Sequence, residues 1–317
     1  MIATWLTERF GLTVPIVAAP MSGAANGSFA AAVCRAGGLG TIGISSQSPD
    51  DVRDEAAAAA AGGASYGIGL LAWLVKDRPD LVDVVIELRP PLVSLSYGDY
   101  GPLIARLRAA GITVATQIGT VDEADQAVDA GVDIIVARGS EGGGHGRDAV
   151  ATLPLLEAVL DRTDRPVLAA GGIATARGLA AVLAAGAVGA WVGTAFLGCP
   201  ETAWAPARRA KVLAADLDST IYTRVYDIAM QQPWPTQYGG RVVRNTFTET
   251  WHGREDELGS TTSVRAELQA AEARDDFDQF SVWAGQAVGL VTSERSVAEV
   301  IGDFAGAEKL LRRWSGQ

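Results

Sequence analysis

The chain has 317 residues, a formal net charge of −11 and 20% charged residues, so it is acidic but otherwise of ordinary globular composition. Such a chain has no general attraction for nucleic acid or for an anionic membrane surface, and neither is expected as a partner. We expect no signal peptide from the N-terminal segment MIATWLTERFG. Cys34 and Cys199 show no metal-ligand or disulfide spacing, so we expect a reducing cytoplasm and no metal site.

Eight short apolar runs recur along the first 200 residues, and glycine-rich turns and Ala/Leu-rich amphipathic stretches separate them. Several runs are apolar throughout, which is typical of strands buried on both faces. The runs are IVAAP (16–20), TIGIS (41–45), SYGIGLL (65–71), LVSLSYG (92–98), TVATQIG (113–119), DIIVARG (133–139), PVLAAGG (166–172) and VGAWVGT (188–194).

The stretches between these runs carry helix signals. Ser28 is the expected N-cap of one helix, Thr120 and Thr175 are the expected caps of two others, and each of the three ends in glycine. Eight β-α units over residues 12–200 predict an α/β fold of the (β/α)8 TIM barrel type, with a doubly wound open sheet as the alternative. The uncharged segment 178–200 is interpreted as a buried helix and strand rather than a membrane span.

The β-α period ends near Pro200. We therefore expect a barrel at residues 1–200 and a mostly helical extension at 201–317 that packs on the barrel and covers part of its mouth. The Pro- and Gly-rich segment 230–241 is expected to be a shaped loop, and one hypothesis is that it forms a lid. Helices are expected at 201–217, 261–275, 281–292 and 296–314, with loops at 218–260.

Glycine-rich segments end the seventh and eighth predicted strands, at Gly171-Gly172 and at Gly193-Thr194. In many barrels the loops after these two strands bind a phosphate. Glycine lets main-chain N–H groups approach an anion, and Thr194 adds a hydroxyl. We expect a phosphate site here; the alternative is that glycine only permits the turns from strand to helix.

His145 is one of two histidines in the chain and follows the sixth predicted strand in GSEGGGHGRD (139–148). The glycines leave room for a large, flat ligand close to the backbone. A neutral imidazole at such a place can take a proton from a carbon acid, because histidine ordinarily titrates near neutral pH. We predict a catalytic His145, with a structural histidine as the alternative. His252 lacks this context and is interpreted as a surface or structural residue.

Four motifs, in this order and at this spacing, resemble the nitronate monooxygenases, formerly called 2-nitropropane dioxygenases. They are PIVAAPMSG, AAVCRAGGLGTIG, GSEGGGHG and PVLAAGGIATARGLAAVLAAGAVGAWVGTAFL, and the resemblance extends from about residue 11 to residue 198. It implies that residues 1–200 form an FMN-binding TIM barrel. The extension resembles the family only loosely.

The resemblance also assigns roles to individual residues. It identifies His145 with the family's proposed base. The positions that match the family's cofactor-binding residues are Ala19, Pro20 and Met21 under the flavin ring, Gln117 on the fifth strand, Gly143 and Gly144 before the histidine, and Gly171, Gly172, Gly193 and Thr194 at the phosphate.

Three positions depart from the family pattern. Gly142 stands where the family usually has alanine, which is a small change. The third strand has Gly69 where the family often has an asparagine that could reach the flavin. Arg138 precedes the glycine-rich loop, where the family often has Gln, Glu or Asp. We expect Arg138 either to face the pyrimidine edge of FMN, favouring its reduced anionic form, or to form a salt bridge with a nearby acid.

The resemblance implies an FMN-dependent oxidoreductase that oxidises alkyl nitronates or nitroalkanes with O2. Flavin-type enoyl-ACP reductases and NAD(P)H:quinone reductases share these motifs, so an NAD(P)H-dependent reductase of quinones or enoyl thioesters is one alternative. A non-catalytic flavin-binding module is the other. Expected partners are a small-molecule substrate and O2, with NAD(P)H and a second copy of the chain left open. Candidates for shaping the substrate pocket are Trp73, Tyr97, Trp234 and Tyr238.

Overall fold

The structure is a computed structural model that describes residues 2–62, 66–261 and 263–313. Ser65 and Trp314, which belong to the predicted third strand and last helix, lie outside these ranges. The strands within them are β1 (Ile16–Ala18), β2 (Gly40–Gly43), β3 (Tyr66–Leu71), β4 (Leu92–Ser96), β5 (Thr113–Ile118), β6 (Ile134–Arg138), β7 (Gly144–Gly146), β8 (Val167–Ala170), β9 (Gly189–Val192), β10 (Thr220–Thr223) and β11 (Gly239–Val243).

Helices follow most of these strands. They are α1 (Trp5–Phe10), α2 (Gly27–Arg35), α3 (Pro49–Ala60), α4 (Ala72–Val75), α5 (Pro79–Leu88), α6 (Gly101–Ala109), α7 (Val121–Asp129), α8 (Thr152–Leu160), α9 (Ala176–Ala184), α10 (Pro206–Leu213), α11 (Val225–Met230), α12 (Thr246–Trp251), α13 (Glu255–Ser260), α14 (Val264–Ala273), α15 (Val297–Ala305) and α16 (Ala307–Arg312). The predicted caps Thr120 and Thr175 are confirmed, whereas Asn26 rather than Ser28 caps α2, because its side chain accepts from Phe29 N–H.

Eight parallel strands of the described chain form a nearly closed barrel in the order β1-β9-β8-β6-β5-β4-β3-β2. A parallel bridge between Val17 and Leu39 brings the β1 and β2 edges together, with Leu39 N–H donating to Ile16 O at 2.9 Å. The predicted TIM barrel is confirmed, and this closure excludes the open sheet. The uncharged segment 178–200 contains α9 and β9, and no described helix is long and apolar enough to cross a membrane.

The barrel interior changes character from one end to the other. Alternate residues of each strand point inward, and the inner apolar layer includes Ile134 and Val136 of β6 together with Leu6 and Phe10 of α1. Helix α1 therefore closes the end of the barrel at which the strands begin. Arg138, two residues beyond Val136 on β6, faces inward at the opposite end.

The last barrel helix comes from the end of the chain. Helix α15 packs against α2 and α9, and Val297, Ile301 and Phe304 are buried in the core that surrounds the barrel strands. Helix α16 also packs on α9. We therefore propose a division different from the expected boundary at residue 200: residues 2–200 and 297–313 form the barrel, and 201–296 is an insertion between its eighth strand and its eighth helix.

The inserted segment has its own hydrophobic core, which includes Trp204, Tyr226, Phe247 and Phe280. The expectation of loops at 218–260 is wrong, because β10, α11, β11, α12 and α13 lie there. Residues 281–292 are not an α-helix and contain only a 3-10 turn at Gln286–Leu290. The reason is that Gly285 N–H and Gln286 N–H donate to barrel-loop acceptors, the Thr194 hydroxyl and Glu141 O, instead of to a helix of their own.

Candidate active site

The segment after β1 lies against the neighbouring strand ends. Ala19 N–H donates to Val192 O at 2.8 Å, and Met21 approaches Gly193, where an added Cβ would lie 3.3 Å from Met21 Sδ. Pro20 packs on Gly69, where an added Cβ would lie 2.2 Å from Pro20 Cβ. The missing asparagine of the third strand therefore has a steric reason, because a side chain at position 69 would displace Pro20.

The two glycine-rich strand ends carry main-chain N–H groups that have no acceptor among the described residues. Beyond β8, Gly172 N–H and Ile173 N–H donate to nothing in the described chain. The same holds for Thr194 N–H and Ala195 N–H beyond β9. Gly172 has a φ of +71°, in the left-handed region that glycine adopts without steric strain. Two neighbouring strands thus present paired N–H groups at one edge of the barrel, an arrangement that suits an anion.

The guanidinium of Arg138 is hydrogen-bonded to the glycine-rich loop. Its Nη2 donates to Gly142 O at 2.7 Å, Gly143 O at 3.2 Å and Gly144 O at 2.9 Å, and its Nη1 donates to Arg147 O at 3.1 Å. The side chain is 3% exposed, and burial lowers the pKa of the guanidinium. Of the two alternatives for Arg138, the salt bridge is absent from the described chain: main-chain carbonyls take the place of the acid, so Arg138 shapes the loop that carries His145.

The glycines of this loop have neighbours within the protein. A Cβ at Gly146 would lie 2.2 Å from Arg138 Nη1, and one at Gly143 would lie 2.5 Å from Gly285 N. Gly144 has a φ of +65° and open space beside it. Close approach by Arg138 and by the inserted segment therefore requires two of these glycines, and backbone conformation favours the third.

His145 contacts two indole rings and a carboxylate. Its imidazole stacks on Trp234 at 3.6 Å between ring centroids, with 5° between the planes, and Trp283 lies at 4.7 Å. His145 Nε2 is 2.8 Å from Asp227 Oδ1, and the two side chains are 12% and 3% exposed. Both sequence alternatives, a catalytic and a structural histidine, find support in this arrangement, because the imidazole is well packed and also poised beside a buried acid.

Strand β7 fixes this position, since it pairs with β11 and places His145 opposite Gly240. The 230–241 segment therefore lies over the C-terminal ends of the barrel strands. The four pocket candidates meet here: Trp234 contacts Trp73 and Tyr97, and Tyr97 contacts Tyr238. The Tyr97 hydroxyl donates to His145 O at 3.0 Å, and burial raises the pKa of Tyr97 to about 12, so it stays a donor.

Glu123 ties the same region together. Its carboxylate accepts from Gly119 N–H at 2.7 Å, from Arg147 Nε at 2.8 Å and from the Tyr238 hydroxyl at 2.9 Å. One buried acid thus connects the end of β5, the glycine-rich loop and the 230–241 segment. Burial raises the pKa of the Tyr238 phenol, and the nearby Glu123 charge adds to this effect.

Sequence reasoning did not find Asp227, Trp283 or Glu123. Asp227 and Trp283 lie in the insertion, where no strand period marked a position relative to the barrel. Glu123 looked like an ordinary first-turn acid of α7, a role that it also fills. Gln117 was placed from the resemblance, and the alternation along β5, in which Ala115 faces inward, directs it to the same interior end as Arg138.

We predict that Trp234→Ala exposes His145 to chemical modification. In a His252→Gln background His145 is the one remaining histidine of the sequence, so diethyl pyrocarbonate reports on it alone. Loss of the stacked indole should increase the rate of acylation severalfold. Trp5→Ala, which alters an exposed tryptophan packed on Phe10, is the control and should leave the rate unchanged. An unchanged rate in Trp234→Ala would show that the indole does not cover the imidazole.

Cys34 and Cys199 are both buried. Burial raises the pKa of the Cys34 thiol, and it raises that of Cys199 to about 12, which disfavours the reactive thiolate. A cavity of about 510 Å³ opens beside the glycine-rich loop. Its lining includes Asp99, Asp122, Glu123, Arg147 and Tyr238.

A (β/α)8 barrel whose glycine-rich and ionisable segments meet at the carboxyl ends of its strands has the architecture of a barrel enzyme. Comparison with known proteins gives the family. The family model described as nitronate monooxygenase matches residues 3–76 and 74–306. The chain belongs to the nitronate monooxygenase family, which makes it a flavin-type oxidoreductase.

Three similar proteins illustrate the range of relatives. The nitronate monooxygenase of Paraburkholderia phytofirmans is 30% identical over 91% of this chain and 90% of its own. A (3aS,4S,5R,7aS)-5-hydroxy-7a-methyl-1-oxo-octahydro-1H-indene-4-carboxyl-CoA dehydrogenase of Mycobacterium tuberculosis is 36% identical over 71% of this chain and 64% of its own. The structure of FabK from Thermotoga maritima superposes with a TM-score of 0.85 at 28% identity, covering 100% of this chain and 99% of that one.

Proposed function

We propose that the protein is an FMN-dependent oxidoreductase that oxidises alkyl nitronates and nitroalkanes with O2. The observation that carries the proposal is the placement of His145. It lies beside a buried carboxylate at the same barrel edge as two pairs of main-chain N–H groups that have no acceptor in the described chain. Membership of the nitronate monooxygenase family supports the reaction class.

The residues present fit a flavin that carries a phosphate. Gly172 N–H, Ile173 N–H, Thr194 N–H and Ala195 N–H would hold the phosphate, because they are donors on adjacent strand ends without other partners. Ala19, Pro20, Met21, Gln117, Gly143 and Gly144 are proposed to lie against the ring. Arg138 is proposed to act near the ring through its charge and through the loop that it holds.

The bound flavin would accept electrons from the substrate and return them to O2. The part played by this chain's residues is proton transfer and positioning. His145 is proposed to remove the α-proton of a neutral nitroalkane, whereas a nitronate arrives without that proton and needs His145 only for orientation. The indole of Trp234, stacked on the imidazole, and that of Trp283, 4.7 Å from it, limit the access of water to it.

The test is anaerobic rapid mixing of the FMN-loaded protein with propyl nitronate, NADPH or NADH in separate experiments, followed by admission of O2. We expect the nitronate to bleach the visible flavin absorbance and O2 to restore it. Rapid bleaching by a nicotinamide, with none by the nitronate, would overturn the proposal. No bleaching by any donor would favour a non-catalytic flavin-binding module.

A thioester reductase is the second candidate, and one observation favours it. A relative at 36% identity is named as a dehydrogenase of a carboxyl-CoA compound. The charges lining the 510 Å³ cavity oppose it, since three carboxylates, Asp99, Asp122 and Glu123, face one guanidinium there. Such a lining disfavours the phosphates of coenzyme A or of a nicotinamide dinucleotide at this cavity. Bleaching by NADPH that an enoyl thioester then reverses would support this candidate.

We predict that Gly172→Asp weakens the binding of FMN at its phosphate. Aspartate and asparagine both tolerate a positive φ, so Gly172→Asn is a control of matched strain that lacks the charge. The added charge should raise the Kd for FMN about tenfold above that of the Asn variant, which is about 1.4 kcal/mol. Riboflavin, which has no phosphate, should bind both variants equally. Equal FMN affinities would place the phosphate elsewhere.

A further inference from the structure

We propose that Asp227 is a positioning residue that selects the tautomer of His145, so that Nδ1 is the nitrogen that takes the proton. This inference rests on the proposed function, because it concerns the same proton transfer. His145 Nε2 lies 2.8 Å from Asp227 Oδ1.

Asp227 has no other side-chain partner in the described chain. Its Oδ2 is buried without a hydrogen bond, and the residue is 3% exposed. Removing a carboxylate from water costs several kcal/mol unless a partner compensates for it. The partner that the structure provides is the imidazole, so the buried acid acts on His145 and not on a network of its own.

The contact determines which ring nitrogen is free. An ionised carboxylate can only accept, so the neutral imidazole carries its proton on Nε2 and donates it to Oδ1. Nδ1 then has a lone pair and no partner in the described chain, and unlike Asp227 Oδ2 it is not fully enclosed. Without Asp227, no other residue of the described chain would hold the tautomer that leaves Nδ1 basic.

In the proposed step, the proton moves from the substrate carbon to His145 Nδ1. The α-C–H bond of the nitroalkane breaks, its electron pair stays on the substrate to give the nitronate, and the proton forms a bond to Nδ1. The resulting imidazolium still donates from Nε2 to Asp227. Trp234, stacked at 3.6 Å, presents its ring face to that cation, which adds a favourable cation–π interaction.

Asp227→Asn tests this inference with two substrates that differ by one proton. The amide can donate to Nε2 and so favour the other tautomer, as in histidine–aspartate pairs generally. We expect kcat/KM of the FMN-loaded enzyme for 1-nitropropane to fall about 100-fold or more, because general-base catalysis is lost. Turnover of preformed propyl nitronate should change little, which also shows that the variant is folded and holds its flavin.

The control is Asp148→Asn, which removes the 2.9 Å ion pair with Arg241 beside the same strands but no contact with His145. Asp148→Asn should change kcat/KM for 1-nitropropane and for propyl nitronate by the same factor. An equal loss with both substrates in Asp227→Asn would mean a structural role, and no loss with either would mean no role. Both outcomes overturn the inference.

A readout that needs no turnover separates this inference from the function it rests on. In His252→Gln protein, 15N NMR reports the tautomer of His145 alone. We expect a proton on Nε2 in the parent and on Nδ1 in Asp227→Asn. If the parent protein oxidises propyl nitronate but carries the His145 proton on Nδ1, the inference is overturned and the proposed function stands. If the His145 proton is on Nε2 but the protein oxidises neither substrate, the proposed function is overturned and the positioning role of Asp227 stands.

Discussion

His145→Ala is expected to lower kcat/KM for a neutral nitroalkane by about 10²–10⁴-fold, which is the usual contribution of a general base. The imidazole stacks on Trp234 and lies 2.8 Å from the carboxylate of Asp227, which would stabilise the imidazolium formed by proton transfer. The measurement is steady-state oxygen uptake by the FMN-loaded enzyme with 1-nitropropane and, separately, with propyl nitronate.

Activity of His145→Ala with propyl nitronate should fall far less, because the nitronate has already lost its α-proton. His252→Gln is the matched control, since this second histidine is half-exposed and contacts Thr223 and Glu255 in the insertion. His252→Gln should leave kcat/KM for both substrates unchanged. Unchanged nitroalkane turnover in His145→Ala would remove this residue from the proton transfer.

Arg138→Met is expected to reduce the free energy of unfolding by about 2–4 kcal/mol, the largest stability effect that we predict. The guanidinium supplies hydrogen bonds to four main-chain carbonyls of one loop, those of Gly142, Gly143, Gly144 and Arg147. Methionine fills a similar volume but leaves those oxygens without a donor. Methionine also avoids the free-energy cost of burying the guanidinium charge, which offsets part of the lost stability. Denaturant unfolding, followed by far-UV circular dichroism, measures the change.

Two further variants sharpen this test. Arg138→Lys keeps the charge, but its single ammonium group cannot reach carbonyls on both sides of the loop, so it should be intermediate. Arg106→Met removes an exposed ion pair with Asp83 and should cost about 0–1 kcal/mol. If Arg138→Met were no less stable than Arg106→Met, the loop would not depend on the guanidinium.

Local patterns determined the barrel. Strands buried on both faces read as continuous apolar runs, and the closed sheet contains a strand at each of the eight predicted places. Thr120 and Thr175 act as caps because capping depends on a side chain and a backbone group three residues apart, which sequence alone specifies. The identity of the cap of α2 was missed by two residues, since Asn26 and Ser28 are both good capping residues.

The tertiary structure alone decided how the candidate site is completed. Asp227 is 82 residues from His145, and the inserted segment brings them together through the pairing of β7 with β11. Strands this short, with partners distant in sequence, leave almost no periodic signal. The same long-range folding makes α15 the last barrel helix, although it follows the eighth strand by about 100 residues.

The sequence by itself therefore determined the barrel, its glycine-rich strand ends and the place of His145 at one of them, because each depends on residues a few positions apart. The tertiary structure decided what Arg138 binds, what His145 stacks on and which acid contacts it. The stacking of His145 and its contact with the acid depend on the path of residues 201–296 over the barrel mouth. That path follows from the burial of a separate apolar core, which no local pattern reveals.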